Sequence, residues 1–283
     1  MQKQKRVAAI HDISGFGKCS LTVALPILSA AGIETSVMPT AVLSTHTGGF
    51  TGSTYRDLTE DLIPFEKHWK SLNLAFDAIY SGFLGSFEQL DIVSGFFADF
   101  KTKDNLILVD PVMADNGVLY SIFTPDFALG MRDLCRKADI IVPNLTEAAL
   151  LIGEPYKEGP YTPEYIKHVL SELSKIGPKQ VVLTGVYWNE KELGAATYDR
   201  TTGVVGYAFA EKIPGYYHGT GDVFGSALLA ALLNGFSLNE SAQIAVNFTA
   251  ESIGRTAEAK TDLRFGVNFE QSIPHFLKDL KII

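Results

Sequence analysis

Cysteine is scarce, with Cys19 and Cys135 the only two in 283 residues. They have neither the count nor the spacing of a disulfide framework or a zinc site. Both are expected as reduced thiols, which fits a cytoplasmic protein. Long apolar runs are missing too. The basic stretch from Met1 to Arg6 leads into a short apolar run that soon reaches His11 and Asp12, too short for the core of a secretion signal. No stretch has the ~20 apolar residues that a membrane helix needs. Basic charge is in short supply: 24 Lys and Arg stand against 32 Asp and Glu, a formal net charge of −8. The basic residues are scattered rather than gathered in a stripe, so the electrostatic footprint of a nucleic-acid binder is absent. A small anionic ligand stays open, because N–H groups at helix starts hold phosphates without entering a charge count. Repeats, low-complexity tracts and long linkers are also absent, and the chain 1–283 is expected to fold as one domain.

What is present is alternation. Val7 to Ile10 reads as a strand that stops at a glycine-containing turn, and Leu21 to Ala31 follows with helical spacing before Gly32. Val37 to Leu43 reads as a second strand. Ser44 to Tyr55, with four threonines and three glycines, reads as a ligand-handling loop. Further short runs at 78–80, 106–109, 140–142 and 181–183 are rich in β-branched residues and separated by segments of helical length. That order predicts βαβ units and an α/β fold with a mainly parallel central sheet. Leu193 to Tyr198 and Val204 to Phe209 flank a turn and predict an antiparallel hairpin at one side. Gly221 to Leu233 and Leu238 to Ile253 read as helices. In open parallel sheets ligands sit beyond the carboxyl ends of the strands. Those ends carry His11-Asp12, the 44–47 segment, Ser81-Gly82-Phe83, Asp110, Asn144 and Thr184.

The chemistry is concentrated in Gly219-Thr220-Gly221-Asp222, directly before an apolar helix. Two glycines let the backbone approach a ligand closely, and the helix start offers N–H donors and a positive dipole end to a phosphoryl group. A carboxylate there repels phosphate, so Asp222 needs another task, and removing the proton of an attacking hydroxyl is such a task. Read alone, the tetrapeptide is better taken as a tight turn with Asp222 as a helix N-cap. Its agreement with Asp110-Pro111-Val112-Met113 and Asn144-Leu145-Thr146-Glu147, each after a separate strand, favours the anion pocket.

The late GTGD before a helix and the N-x-x-E after a strand resemble the ribokinase-like superfamily, and within it the chain is similar to the pyridoxal kinases. The residues carrying this are 44–48, 81–85, 110–115, 138–147 and 219–222, in the family's order. The resemblance implies a ribokinase-like three-layer α/β/α fold and ATP-dependent phosphorylation of the 5′-hydroxymethyl group of a B6 vitamer. It implies Asp222 as the base, with Gly219, Thr220 and Gly221 forming the anion hole. Asp110 and Glu147 would hold Mg²⁺, largely through water, and Asp115, Asn144 and Thr184 would lie near the ATP phosphates. Thr47 and Phe83 would flank the pyridine ring, with Phe83 where the family commonly has Tyr, and His46 would join the substrate contacts. A homodimer and a monovalent cation such as K⁺ are also implied.

The first loop departs from the pattern. His11-Asp12-Ile13-Ser14-Gly15 contains a D-x-S-G similar to the hydroxymethylpyrimidine kinases of the same fold, so Asp12 and Ser14 are substrate contacts whose ring is open. A Walker A reading of Gly15 to Ser20 fails, because Asp12 stands where its first Gly belongs and Cys19 where Ser or Thr belongs. A dinucleotide-binding reading lacks its third glycine, which is Ser20. A non-catalytic pyridoxal binder is the rival from another class, disfavoured by a base set beside an anion hole. The histidines have no ligand pattern, and Cys19 next to Lys18 is a candidate for a lowered pKa, with a buried inert thiol the commoner outcome. The aromatics Tyr207, Phe209, Tyr216 and Tyr217 are candidates for an adenine pocket or for packing.

Overall fold

The computed structural model describes residues 4–283. Strand β1 (Arg6–Ser14) is buried along nearly its whole length, as a strand covered on both faces must be. In chain order it is followed by α1 (Leu21–Ala30), β2 (Glu34–Leu43), β3 (Tyr55–Asp57), α2 (Thr59–Ser71), β4 (Ala78–Ser81), α3 (Phe87–Phe100) and β5 (Leu106–Val109). Then come β6 (Ala114–Asp115), β7 (Val118–Leu119), α4 (Phe127–Cys135), β8 (Ile140–Ile141), α5 (Leu145–Ile152) and α6 (Pro163–Ile176). The chain closes with β9 (Gln180–Val186), β10 (Glu192–Asp199), β11 (Val204–Glu211), α7 (Thr220–Leu233), α8 (Leu238–Ala259) and α9 (Ile273–Asp279).

The main sheet runs in the order β11-β10-β9-β8-β5-β4-β1-β2-β3. From β9 to β2 the neighbours are parallel. The hairpin β10–β11 extends one edge antiparallel, as the sequence predicts, and β3 adds antiparallel to the other. Helices cover both faces. One core packs side chains of α2 to α6 against the sheet, including Phe96, Met131, Leu151 and Leu170. The other packs α1, α7, α8 and α9, including Ile27, Leu228, Phe248 and Phe276. Helix α7 is buried continuously from Val223 to Ala231, which explains its apolar sequence without an amphipathic stripe.

Several boundaries differ from the sequence reading, each for a local reason. Strand β1 continues past Ile10 to Ser14, so Asp12 and Ser14 lie within a strand rather than in a loop. Its register with β2 slips between His11 and Ile13, a bulge that re-aims the side chains there. Strand β9 runs on to Val186, so Thr184 sits inside it rather than at its end. Helix α7 starts at Thr220 with Gly219 as its cap, which places Asp222 in the first turn and not at the N-cap. The β6–β7 ribbon was not anticipated, although its two-residue Asn116-Gly117 turn, with φ of 50° and 78°, is the left-handed pair that tight hairpins favour.

Consecutive connections leave β1 and β4 toward opposite faces, since α1 joins one core and α3 the other. These adjacent strands are the switch point of the sheet, where a crevice forms at the carboxyl ends.

Candidate active site

A cleft of about 440 Å³ lies over the carboxyl ends of β5 and β8 and beside β9, and is lined by Asp110, Asp115, Asn144, Glu147, Thr184, Gly219, Thr220, Gly221 and Asp222. Every residue that the sequence assigned to catalysis or to the nucleotide therefore faces one space. The GTGD turn is held there by close packing. Gly219 has φ of 74°, and a Cβ at that position would stand 2.1 Å from the carbonyl oxygen of Lys18. Only glycine satisfies both demands. The first turn of α7 then presents its free N–H groups to the cleft.

Asp222 sits in that first turn. Burial pushes its carboxyl up to about 7, opposed by a hydrogen bond from the Ser20 backbone N–H and reinforced by the charge of Asp12. The donor is itself unusual: Ser20 precedes α1 with φ of 52° and makes no side-chain cap. Its hydroxyl turns instead to Asp12, whose Oδ2 also accepts from Ser14 Oγ at 3.0 Å. One strained serine thus bridges the buried carboxylate of Asp12 and the half-buried one of Asp222. Cys19 beside it is not activated. Burial and the charges of Asp222 and Asp12 push its thiol up, while Lys18 Nζ is turned away to Glu270, Asn268 and the Val267 carbonyl.

Glu147 is fixed by reciprocal capping. Its backbone N–H donates to Asn144 Oδ1 at 2.9 Å, and its Oε2 accepts from the Asn144 N–H at 2.9 Å, the capping-box arrangement at the start of α5. Its Oε1 accepts from the Met113 N–H at 3.2 Å. Burial still raises Glu147 to about 8. Asp110 is pushed up by burial, then by the charges of Glu147 and Asp222. Carboxylates that drive one another toward the neutral form are a donor set that a divalent cation suits. Among the described residues no three His, Cys, Asp or Glu side chains converge as a metal cage. A Mg²⁺ held by Asp110 and Glu147 would take its remaining ligands from water and phosphate oxygens, the usual arrangement for this ion.

Across the mouth, Tyr216 donates its hydroxyl to Asp115 Oδ2 at 2.6 Å, joining the β11–α7 loop to the β6–β7 ribbon. Tyr217 and His218 line the cleft as well. Tyr207 and Phe209 do not, and pack instead on Trp188 at 5.3 and 5.5 Å.

The residues assigned to the acceptor, Asp12, Ser14, His46, Thr47 and Phe83, do not line this cleft. Asp12, with Ser14 bonded to it, connects to the cleft through Ser20. His46 spends both ring nitrogens on main chain, accepting from the Gly48 N–H at 3.0 Å and meeting the Arg264 carbonyl at 2.7 Å. That leaves it as a loop clamp with only its ring to offer a substrate. Thr47 is exposed, and Phe83 is half-buried with its ring 5.9 Å from that of Phe123. Of the other residues here, Tyr216 is among the aromatics that the sequence offers for an adenine pocket or for packing, whereas Ser20 and His218 receive no site role from it. No local pattern marks these two, because each is brought in by the packing of distant loops.

The family described as phosphomethylpyrimidine kinase has a model that matches residues 27–265. A Bacteroides thetaiotaomicron protein, provisionally named a phosphomethylpyrimidine kinase and crystallised with pyridoxal, is 40% identical. It covers 97% of this chain and 96% of its own, with a TM-score of 0.92. The pyridoxal kinase of Lactobacillus plantarum is 32% identical, covers 98% of each chain and has a TM-score of 0.89. The pyridoxine/pyridoxal/pyridoxamine kinase of Bordetella avium is 25% identical over 88% of this chain and 85% of its own length. The three-layer architecture expected from the sequence is accordingly the ribokinase-like fold of these structures.

Proposed function

We propose, given that the chain belongs to the phosphomethylpyrimidine kinase family, that it phosphorylates the 5′-hydroxymethyl group of pyridoxal or a related B6 vitamer. The phosphoryl donor is ATP and the general base is Asp222. One observation carries this reading: a carboxyl raised to about 7 sits in the first turn of a helix whose glycine cap presents backbone donors to the same space. A base poised near neutral pH is matched to taking a proton from an alcohol.

In the proposed reaction the substrate hydroxyl gives its proton to Asp222 as its oxygen bonds to the γ-phosphorus. The bond from phosphorus to the β-γ bridging oxygen breaks, ADP leaves with that electron pair, and no enzyme-bound intermediate forms. Gly219, Thr220 and Gly221 offer N–H donors to the transferring group, an electrostatic contribution that costs no rearrangement. Asn144, Thr184 and Asp115 would lie along the phosphates. Mg²⁺ held by Asp110 and Glu147 would neutralise charge on the β- and γ-oxygens. The same reading carries a homodimer, a monovalent cation such as K⁺ and a cytoplasmic setting.

Hydroxymethylpyrimidine is the second acceptor to consider, because Asp12, Ser14 and Ser20 form a hydrogen-bonded unit within the D-x-S-G segment. The decisive experiment offers pyridoxal, pyridoxine, pyridoxamine and hydroxymethylpyrimidine with Mg-ATP and compares kcat/KM. The highest value is expected for a B6 vitamer. Turnover of the pyrimidine alone would move the acceptor and leave the kinase chemistry intact. Tight binding of pyridoxal without ADP release would identify a binder instead.

A further inference from the structure

Between the sheet and α7, under the floor of the cleft, lies a group of fully buried polar atoms without hydrogen-bond partners among the described residues. They are the hydroxyls of Tyr80 and Ser226 and both ring nitrogens of His11. A buried polar atom left unpaired costs stability, and several in one place require a reason. Tyr80 projects from β4 into the α7 core, its ring 4.3 Å from that of His11 at an interplanar angle of 82°. Its head fits only because residue 225 is glycine. A Cβ there would fall 2.5 Å from the Tyr80 hydroxyl and 3.8 Å from Asp110 Oδ2. Ser226, one helical turn beyond Asp222, stands close enough to the same hydroxyl to act as a weak hydrogen-bond partner, although neither hydroxyl makes a well-formed bond.

The acceptors nearby are not equally served. Glu147 is stabilised by the N–H groups of Asn144, Met113 and Ala114, Asp222 by that of Ser20, and Asp12 by the hydroxyls of Ser14 and Ser20. Asp110 is pushed up by burial and by the charges of Glu147 and Asp222, and no described residue is seen donating a hydrogen bond to its carboxylate. A carboxylate without a donor therefore stands next to donors without an acceptor. Burial and the charges of Asp110 and Asp222 also keep the phenol protonated throughout the working range.

We propose that Tyr80 is a positioning residue for nucleotide binding, its hydroxyl donating to the Asp110 carboxylate, seconded by Ser226, when the cleft is occupied. Hydrogen bonds at such sites are often long in the empty enzyme and tighten in the complex. The inference rests on the reading of Asp110 as a group that holds magnesium for the phosphates. The charged and titratable groups around this contact are His11 on β1, Glu147 on α5, Asp222 on α7, Tyr120 after β7 and Cys135 on α4.

The test is calorimetric titration of ADP at a series of Mg²⁺ concentrations, with the intact chain and with Tyr80→Phe and Ser226→Ala, alongside thermal unfolding. In Tyr80→Phe the Mg²⁺ concentration that gives half-maximal ADP binding should rise about tenfold, the scale of one hydrogen bond to a charged group. Its Tm in the absence of nucleotide should hold or rise, since the variant removes an unpaired buried hydroxyl while keeping the ring. Ser226→Ala should move the Mg²⁺ dependence the same way by less. Unchanged Mg²⁺ dependence in Tyr80→Phe overturns the inference, and so does a loss of Tm with no change in that dependence. No acceptor alcohol is present, so magnesium-dependent ADP binding that weakens in Tyr80→Phe would support Tyr80 even if the vitamer panel failed. ADP binding indifferent to Mg²⁺ in the unmodified chain would overturn both readings.

Discussion

Asp222 would combine two properties that conflict in a stable protein: it is half-buried in the first turn of α7, and as the proposed base it would have to be charged to act. Its raised carboxyl, at about 7, means that activity limited by this base should fall as pH drops through that value. The stability consequence has the opposite sense. An acid whose folded pKa lies above its unfolded value weakens the fold where it is ionised, and the penalty shrinks as pH falls through the folded value and is gone only below the unfolded one. Asp222→Asn should therefore lose roughly 10²–10⁴-fold in turnover while still binding nucleotide. It should also unfold at higher temperature than the parent at pH 8, with the difference shrinking toward pH 5. Turnover near the parent's, or a Tm difference independent of pH, would remove the assigned role. The placement of Asp222 at the cleft was legible in the sequence because GTGD joins a glycine turn, a helix start and a carboxylate in four adjacent residues. Ser20 was not, because a serine with φ of 52° is chosen by what presses around it. The Lys18 carbonyl must pass under Gly219 and beside Gly266, and no neighbour in sequence records that.

At the scale of elements, the turn before α7 depends on glycine twice, for the left-handed backbone and for the approach to Lys18. Gly219→Ala should cost roughly 1–2 kcal/mol from backbone conformation alone, with more from the contact. Misaimed N–H groups should lower turnover by about 10²–10³-fold, the range seen when one such donor is lost. Thermal unfolding and steady-state kinetics on one sample check both parts, and a variant of normal turnover would show that the turn does not serve the phosphoryl group. The parallel strands and the β10–β11 hairpin were readable from apolar runs and turn residues. Strand β3 was not, because Tyr55–Asp57 is short and exposed and owes its conformation to pairing with β2. The ends of β1 and β9 were placed too early because polar residues there were taken as the start of loops. Asp12, Ser14 and Thr184 are polar and remain in strands because their side chains find partners there, Ser14 donating to Asp12 and Thr184 to the Pro143 carbonyl.

For the whole molecule, two cores on opposite faces of one sheet support a cleft that is lined in part by Val142, Phe224 and Val246 of the core beside α7 and by no residue of the other. Phe96 is fully buried and stacks on Phe100 at 4.3 Å in the core away from α7. Phe96→Ala should cost about 3–5 kcal/mol while leaving KM for both substrates unchanged below the new Tm. A selective rise in KM would show that the far core transmits to the site. The cleft itself carries one more consequence. Asp110, Asp115, Glu147, Glu211 and Asp222 line it, against Lys212 as the one lysine among the described lining residues. A bare triphosphate would enter against the local field, whereas the same molecule with its charge partly cancelled would not. Electrostatics would thus sort the forms of the nucleotide before shape does, and chelating divalent ions should abolish measurable ATP affinity even where every contact to the adenine remains available.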